Sequence, residues 1–440
     1  MGRVGRQEES ERFRRIGNRI GRSFIPFVAL AQALQLAFPV PGARWLTFEL
    51  IVLGAIALLT SPWWWRRRLE LSPTARLTMA AFLALVAYGI VSLLLHPEPV
   101  VTAPGGGPVP KIFVLVPLLT AVAAMFAGVG MVLSAERAQR MRILAWGGLA
   151  ALVVAFLGWP FQSAHRNYVR LATGQGGAAI IHVMFLIIVA LGLAQYVRGR
   201  RPWLTAGLVF GGLAAVIATQ SRGAIVNIGA WLSLIAAGWL IHYPKDSRKL
   251  WPVGLALMVG VFSLPFVPGL SRITSFEEPK RAENLLTALN IWSQDPVTMA
   301  FGTGPGRVWP WYAYESGLYP MPGGDYTRFA PTPFGDILLT PHSTPLAMLV
   351  ELGIVGALLG LLMGASLLLG WWRSRTSLAR LIVSSATLAC LVAFLVDTYL
   401  LRNFGISMWW WATIALVSSW QEATDEERAA RAHPARRGAD

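Results

Sequence analysis

The 440-residue chain is poor in the residue types that most soluble functions are built on. It has one cysteine, Cys390, set inside an apolar run, so it has no disulfide framework and no cysteine-built metal site. It has six histidines, with no His-x-x-x-His pair and no Asp-x-Asp on a polar loop, so no metal-ligand pattern stands out. Charged residues make up only 14%, and acids are outnumbered 22 to 38 by Lys and Arg. The N-terminus is Arg-rich but lacks a short apolar core ending in small residues, so it reads as a retained tail and not a cleaved signal. No internal repeat is visible.

What the chain has is apolar surface: 55% hydrophobic residues and a mean hydropathy of +0.53. That is too apolar for a soluble globule and predicts an all-α polytopic membrane protein, because backbone groups in lipid must be satisfied within each segment. Twelve apolar runs approach or reach the length needed to cross a bilayer. They are residues 23–40, 45–64, 77–95, 112–133, 143–159, 178–196, 203–218, 224–242, 251–267, 345–371, 381–400 and 406–420. The expected organisation is a cytoplasmic tail (1–22), nine spans (23–267), one long outer loop (268–341), three spans (342–420) and a second cytoplasmic tail (421–440). With the N-terminus inside, 27 of the 38 Lys and Arg fall on cytoplasmic segments and 11 outside. This is the positive-inside pattern, with both termini cytoplasmic. It explains the net charge of +16 without nucleic acid. The nineteen tryptophans mostly flank spans, as interfacial belts do.

The arginines that oppose this bias draw attention. Arg222 lies in Gln220-Ser-Arg-Gly-Ala224, a turn so short that the arginine must sit at the membrane interface. It either snorkels to lipid phosphate or binds a substrate anion. The long loop spans about 75 residues, well beyond ordinary connection length, and such loops are most often functional. Within it, 280–294 reads as a helix with Leu285, Leu289 and Trp292 on one face. Arg281 shares that stripe, where it either pairs with Glu277, Glu278 or Glu283 or takes an anionic ligand. The following Gly302-x-Gly-x-Gly306 lets backbones approach closely; without a strand–helix unit around it, it is weak evidence for phosphate binding. Arg166 and Arg170 share another outer loop with His165 and Tyr168, where substrate contact and simple surface exposure are both open. Asp397 and Arg402 are close enough in sequence to pair with each other. His182 reads as a core histidine.

One stretch joins the loop to a long apolar helix: His342-Ser-Thr-Pro-Leu-Ala-Met-Leu-Val-Glu351-Leu-Gly-Ile-Val-Gly356. Thr344-Pro345 reads as an N-cap with proline opening the helix. His342 then lies at the helix mouth, beside unpaired N–H groups and the positive end of the dipole, where anions are favoured and an imidazolium is not. Glu351 follows about 9 Å further along, inside apolar sequence, as a functional carboxylate or as a partner that ties an arginine between helices.

This stretch resembles the His-x-x-x-Leu-x-x-x-x-Glu-x-Gly-x-x-Gly signature of the bacterial O-antigen ligase and polymerase family. Ser221-Arg222-Gly223-Ala224 between two spans is similar to a second motif, and Arg281 with Trp292, Pro296, Gly302, Gly304 and Gly306 to a third, in the family's order. Two departures stand out: Ser343 where the family has Asn, and no Gly-Arg pair at Arg281. The resemblance implies a GT-C-like, metal-independent inverting glycosyltransferase with no cofactor, in a bacterial inner membrane. Its partners would be an undecaprenyl pyrophosphate-linked glycan, a lipid A–core acceptor and membrane lipids, and its active site would face the periplasm. His342 would be the catalytic base and Arg222 and Arg281 the pyrophosphate-binding residues. Glu351, Arg166, Arg170, Asp397 and Arg402 would be in support. One dominant outer loop favours a ligase over a polysaccharide polymerase. A transporter is a third reading, with Glu351 and Asp397 as proton carriers, and the missing repeat symmetry argues against it.

Overall fold

A computed structural model describes residues 68–96, 111–166, 170–173, 179–199, 201–242, 279–309, 329–338, 340–375, 377–395, 399–401 and 404–420. The expected spans 23–40, 45–64 and 251–267, both tails, Asp397 and Arg402 lie outside these residues.

Each of the other nine apolar runs holds a helix. In chain order they are α1 (Pro73–Leu95), α2 (Lys111–Ser134), α3 (Arg137–Arg166), α4 (His182–Val197), α5 (Pro202–Thr219) and α6 (Arg222–His242), then α9 (Thr344–Ser374), α10 (Leu378–Ala393) and α11 (Phe404–Ser418). Six are long and apolar enough to cross a membrane and three are shorter apolar helices. The described chain is thus mostly helical, as a polytopic membrane protein requires. The helices pack with small residues at the closest crossings. A Cβ at Gly128 of α2 would stand 2.3 Å from the Met408 carbonyl oxygen of α11. Only a bare Cα allows that approach.

The outer loop holds α7 (Pro279–Trp292), α8 (Pro296–Phe301) and a two-stranded antiparallel hairpin, β1 (Phe329–Thr332) with β2 (Gly335–Leu338). The hairpin is a local exception to the all-α expectation. Its turn is tied by Thr332, whose hydroxyl donates to the Gly335 carbonyl at 2.6 Å and accepts from Phe334 N–H at 3.1 Å. Asp295 caps α8 by accepting from Val297 and Thr298 N–H, so Asp295-Pro296 opens a short helix after stopping α7. The Thr298 hydroxyl, which donates to Asp295 Oδ2 at 2.6 Å, and these amides hold its carboxyl below the usual range.

The largest departure from expectation lies in α9. The apolar run predicts one continuous helix, but the chain breaks at Gly353 (φ 64°, ψ −163°). Beyond the break it turns so sharply that a Cβ on Gly356 would lie 2.8 Å from the Met348 carbonyl oxygen, eight residues earlier. In an unbroken helix those positions would be about 12 Å apart. The expected span is therefore a short helical arm leading from His342 to Leu352, followed by a longer membrane-length helix.

Candidate functional site: a glycine loop docked in a broken helix

The break in α9 and the Gly302–Gly306 loop are two halves of one structure. Both Gly302 (φ 78°, ψ −179°) and Gly353 adopt a backbone conformation that is essentially closed to other residues. A Cβ on either would come within 2.5 Å of the other's amide nitrogen. At the break, the Val350 carbonyl accepts from Thr303 N–H at 3.0 Å and the Glu351 carbonyl from Gly304 N–H at 2.9 Å. The loop thus supplies backbone donors where the helix is interrupted, which apolar surroundings demand.

Glu351 completes the joint. Its side chain is 1% exposed, and its Oε1 accepts from Gly306 N–H at 2.9 Å and Trp309 N–H at 3.3 Å. In this role the carboxylate holds the loop through two backbone amides. Close backbone approach was the expectation for the glycines, and it holds at Gly302 and Gly304.

A residue the sequence reading passed over ties this joint to His342. Asn284 on α7 is 1% exposed. Its Oδ1 accepts from Leu338 N–H at 3.0 Å and from Trp309 Nε1–H at 3.5 Å, and its Nδ2 donates to the Pro341 carbonyl at 3.3 Å. The glycine loop, the hairpin and the peptide before His342 therefore meet on one side chain. The packed stripe of α7 is Arg281, Asn284, Ala288 and Ile291, with Arg281 half-buried. Leu285 is 44% exposed, so the apolar stripe drawn from Leu285 is corrected by about one residue. Arg281 remains on the packing side because 281, 284, 288 and 291 recur at helical spacing. A buried polar residue on that stripe was the available signal for Asn284. Asn284→Leu is expected to leave the apolar spans folded while orphaning two donors, at about 1–3 kcal/mol each. Limited proteolysis should then cut faster within 279–341 than in wild type; an unchanged cleavage pattern would remove Asn284 as the fastener.

His342 itself is half-buried and has φ 50°, a left-handed conformation uncommon for a non-glycine residue. Such backbones persist where the surroundings over-determine them. Here Asn284 holds Pro341 on one side. On the other, Thr344 N–H donates to the Phe394 carbonyl at the end of α10 at 2.7 Å. The ring is oriented by Thr340, whose Oγ1 is 2.7 Å from Nε2.

The helix mouth differs from expectation in two respects. The N-cap is Ser343, whose hydroxyl accepts from Leu346 N–H at 3.3 Å, so Thr344 is the first helical residue. The first N–H groups are also occupied: Thr344 bonds Phe394, Pro345 has none, and Leu346 bonds Ser343. Anion binding through bare amides at this helix start, expected from the sequence, is thereby excluded.

Of the remaining candidates, Arg222, Arg170 and Arg166 fall within the described residues. Arg222 opens α6. Near the far end of α6, Gly238 packs on Leu381 at the start of α10, so Arg222 and the end of α10 share one end of the bundle. Arg170 donates from Nε to the Thr219 carbonyl at 2.8 Å, beside a Leu171 N–H bond to Ala218, so it braces the chain just before Arg222. Arg166 closes α3. His182 is buried, with Nε2 accepting from Asn227 Nδ2 at 3.2 Å, as expected for a core histidine. Among the described residues no group of three metal-ligating side chains comes together.

The O-antigen ligase family profile matches residues 206–361. Over this stretch the chain is similar to that family. The matched stretch runs through Arg222, Arg281, Asn284, the glycine loop, His342 and Glu351. Arg166, Arg170, Asp397 and Arg402 fall outside it. No curated protein matches the chain. The match and the apolar helices together support a multi-pass membrane protein similar to the O-antigen ligases.

Proposed function

We propose that this protein is an O-antigen ligase, a metal-independent, inverting glycosyltransferase of GT-C type in the bacterial inner membrane. It moves a glycan from undecaprenyl pyrophosphate to a sugar hydroxyl of lipid A–core at the periplasmic face, with both termini cytoplasmic. The observation that carries this reading is the convergence of the His342 turn, the Arg281 helix and the glycine loop on Asn284 and Glu351, inside the family-matched stretch.

In this reading, a ring nitrogen of His342 removes the proton of the acceptor hydroxyl. The freed oxygen attacks the anomeric carbon from the face opposite the pyrophosphate. One C–O bond forms, the C–O bond to the carrier breaks, and the pyrophosphate leaves with the electron pair. Arg222 and Arg281 hold that group and stabilise its growing charge. Guanidinium forks suit phosphate oxygens and stay charged in a greasy setting. Arg166, Arg170, Asp397 and Arg402 are supporting candidates. Glu351 acts through the loop it holds.

The decisive assay is purified protein in detergent with an undecaprenyl pyrophosphate glycan and EDTA. One sample receives lipid A–core and the other only more donor. Product in the first sample alone is the expected result. Ladders in the second would make the enzyme a polymerase, and folded protein inert in both would favour a transporter. Arg222→Lys is expected to lower transfer at least tenfold, since a point charge replaces a bidentate fork. Near-normal transfer would mean that Arg222 only snorkels.

A further inference from the structure

Arg222 opens α6, and α6 is the least buried of the six membrane-length helices described. It meets the bundle along one stripe: Ala224, Asn227, Trp231 and Gly238. Its other faces are apolar as well, with Ile225, Val226 and Ile228 around Asn227. Apolar contact alone does not fix the rotation of such a helix, because lipid tails are as apolar as its neighbours; hydrogen bonds and close small-residue crossings must do it. Among the described residues, two side-chain hydrogen bonds leave the stripe. Trp231 Nε1–H donates to the Ile382 carbonyl of α10 at 2.9 Å. Asn227 Nδ2–H donates to His182 Nε2 at 3.2 Å, five residues from Arg222, or about 7.5 Å along the axis.

The His182 end of that bond belongs to a seat. Three residues before His182, the Ala179 carbonyl accepts from the Ser221 hydroxyl at 3.1 Å. Ser221 precedes Arg222 and Asn227 follows it. Arg222 is therefore anchored on both sides to one segment, 179–182, which leads into α4. Gln220, just before, holds φ 48°, a left-handed conformation uncommon outside glycine, where the chain reverses from α5 into α6. Two points of attachment fix rotation as well as place; one would leave α6 able to turn about it.

The Asn–His pair is a poor source of stability. His182 is 1% exposed and Asn227 is fully buried, and Asn227 Oδ1 has no hydrogen-bond partner among the described residues. A buried acceptor left unsatisfied costs free energy, and an apolar pair of similar shape would avoid that cost. Polar side chains that weaken a core can still fix helix register. We propose, on the reading of Arg222 as a pyrophosphate-binding residue, that His182 and Asn227 are positioning residues. Their bond sets the rotation of α6 and so aims the Arg222 guanidinium at the pyrophosphate of the donor.

The test is a variant cycle on the purified full chain, read as donor KM, acceptor KM, kcat and melting temperature. His182→Phe with Asn227→Leu replaces both partners by apolar groups, a change that is nearly neutral for stability. This variant should melt close to wild type yet raise the donor KM about tenfold, the scale of one interhelical hydrogen bond, while the acceptor KM moves far less. Arg222→Ala alone should raise the donor KM at least about tenfold. Added to the apolar pair it should cost less than about threefold more, because residues that act as one unit are not additive. His182→Gln offers Asn227 an amide oxygen and should recover most of the donor affinity. If the apolar pair fails to fold, His182→Gln against Asn227→Ala makes the same comparison, and equal donor KM in those two overturns the proposal. A wild-type donor KM in the folded apolar pair, or full additivity with Arg222→Ala, overturns the positioning role while Arg222 keeps its own. A harmless Arg222→Ala overturns the reading of Arg222 and the positioning role with it.

Discussion

His342→Ala is expected to abolish transfer while leaving the protein inserted and able to bind the lipid-linked donor. A positioned general base contributes about 10²–10⁴-fold, or about 3–5 kcal/mol at the transition state. The loss should appear in the chemical step, because the arginines assigned to the donor are untouched. The geometry sharpens this expectation. His342 is held in a left-handed backbone by Pro341 on one side and Thr344 on the other, and its ring is set by Thr340. A residue kept in an unfavourable conformation by its neighbours on both sides is one whose position matters. Single-turnover rates on purified variant, with donor retention measured in parallel, make the check. Full activity would remove His342 as base. Loss of donor binding in step with activity would mean that the substitution had collapsed the site.

The second large effect is expected at the joint between Glu351 and the glycine loop. Gly353→Ala should be strongly destabilising, because its backbone is nearly closed to L residues and the added carbon would lie 2.4 Å from the Ala300 carbonyl oxygen. Glu351→Leu keeps much of the volume but orphans the Gly306 and Trp309 amides, at about 2–6 kcal/mol together. Glu351→Gln keeps an oxygen acceptor for both amides. The glutamine variant should therefore retain transfer within a few fold, while the leucine variant loses it together with thermal stability. The glutamine result separates the two readings of this carboxylate. If Glu351→Gln is stable but inactive, the carboxylate carries a proton or contacts substrate, and the purely structural role fails.

Much of this was legible in the sequence because membrane-spanning helices are written locally. An apolar run of about 20 residues must satisfy its own backbone in lipid, so span positions follow from composition and length alone. Every expected span within the described residues holds a helix, although the 345–371 run breaks at Gly353 and the helix of the 381–400 run ends at Ala393. The motifs around Arg222, Arg281 and His342 are likewise contiguous in sequence, and the matched family stretch contains all three.

What the sequence did not determine depends on contacts between distant segments. The run from Pro345 to Trp371 carries no proline inside, and a helix was the reasonable expectation; Gly353 breaks it because Gly302, fifty-one residues earlier, docks against it backbone to backbone. Ser343 outcompetes Thr344 as cap because Thr344 N–H is taken by Phe394, fifty residues later. Asn284 looks ordinary on its helix until the hairpin, the glycine loop and Pro341 arrive on it together. Local pattern settles which segments enter the membrane, since that depends on each segment's own polarity. Where a helix breaks, which amides remain open and which carboxylate holds a loop are set by long-range partners, and those exist only in the folded chain.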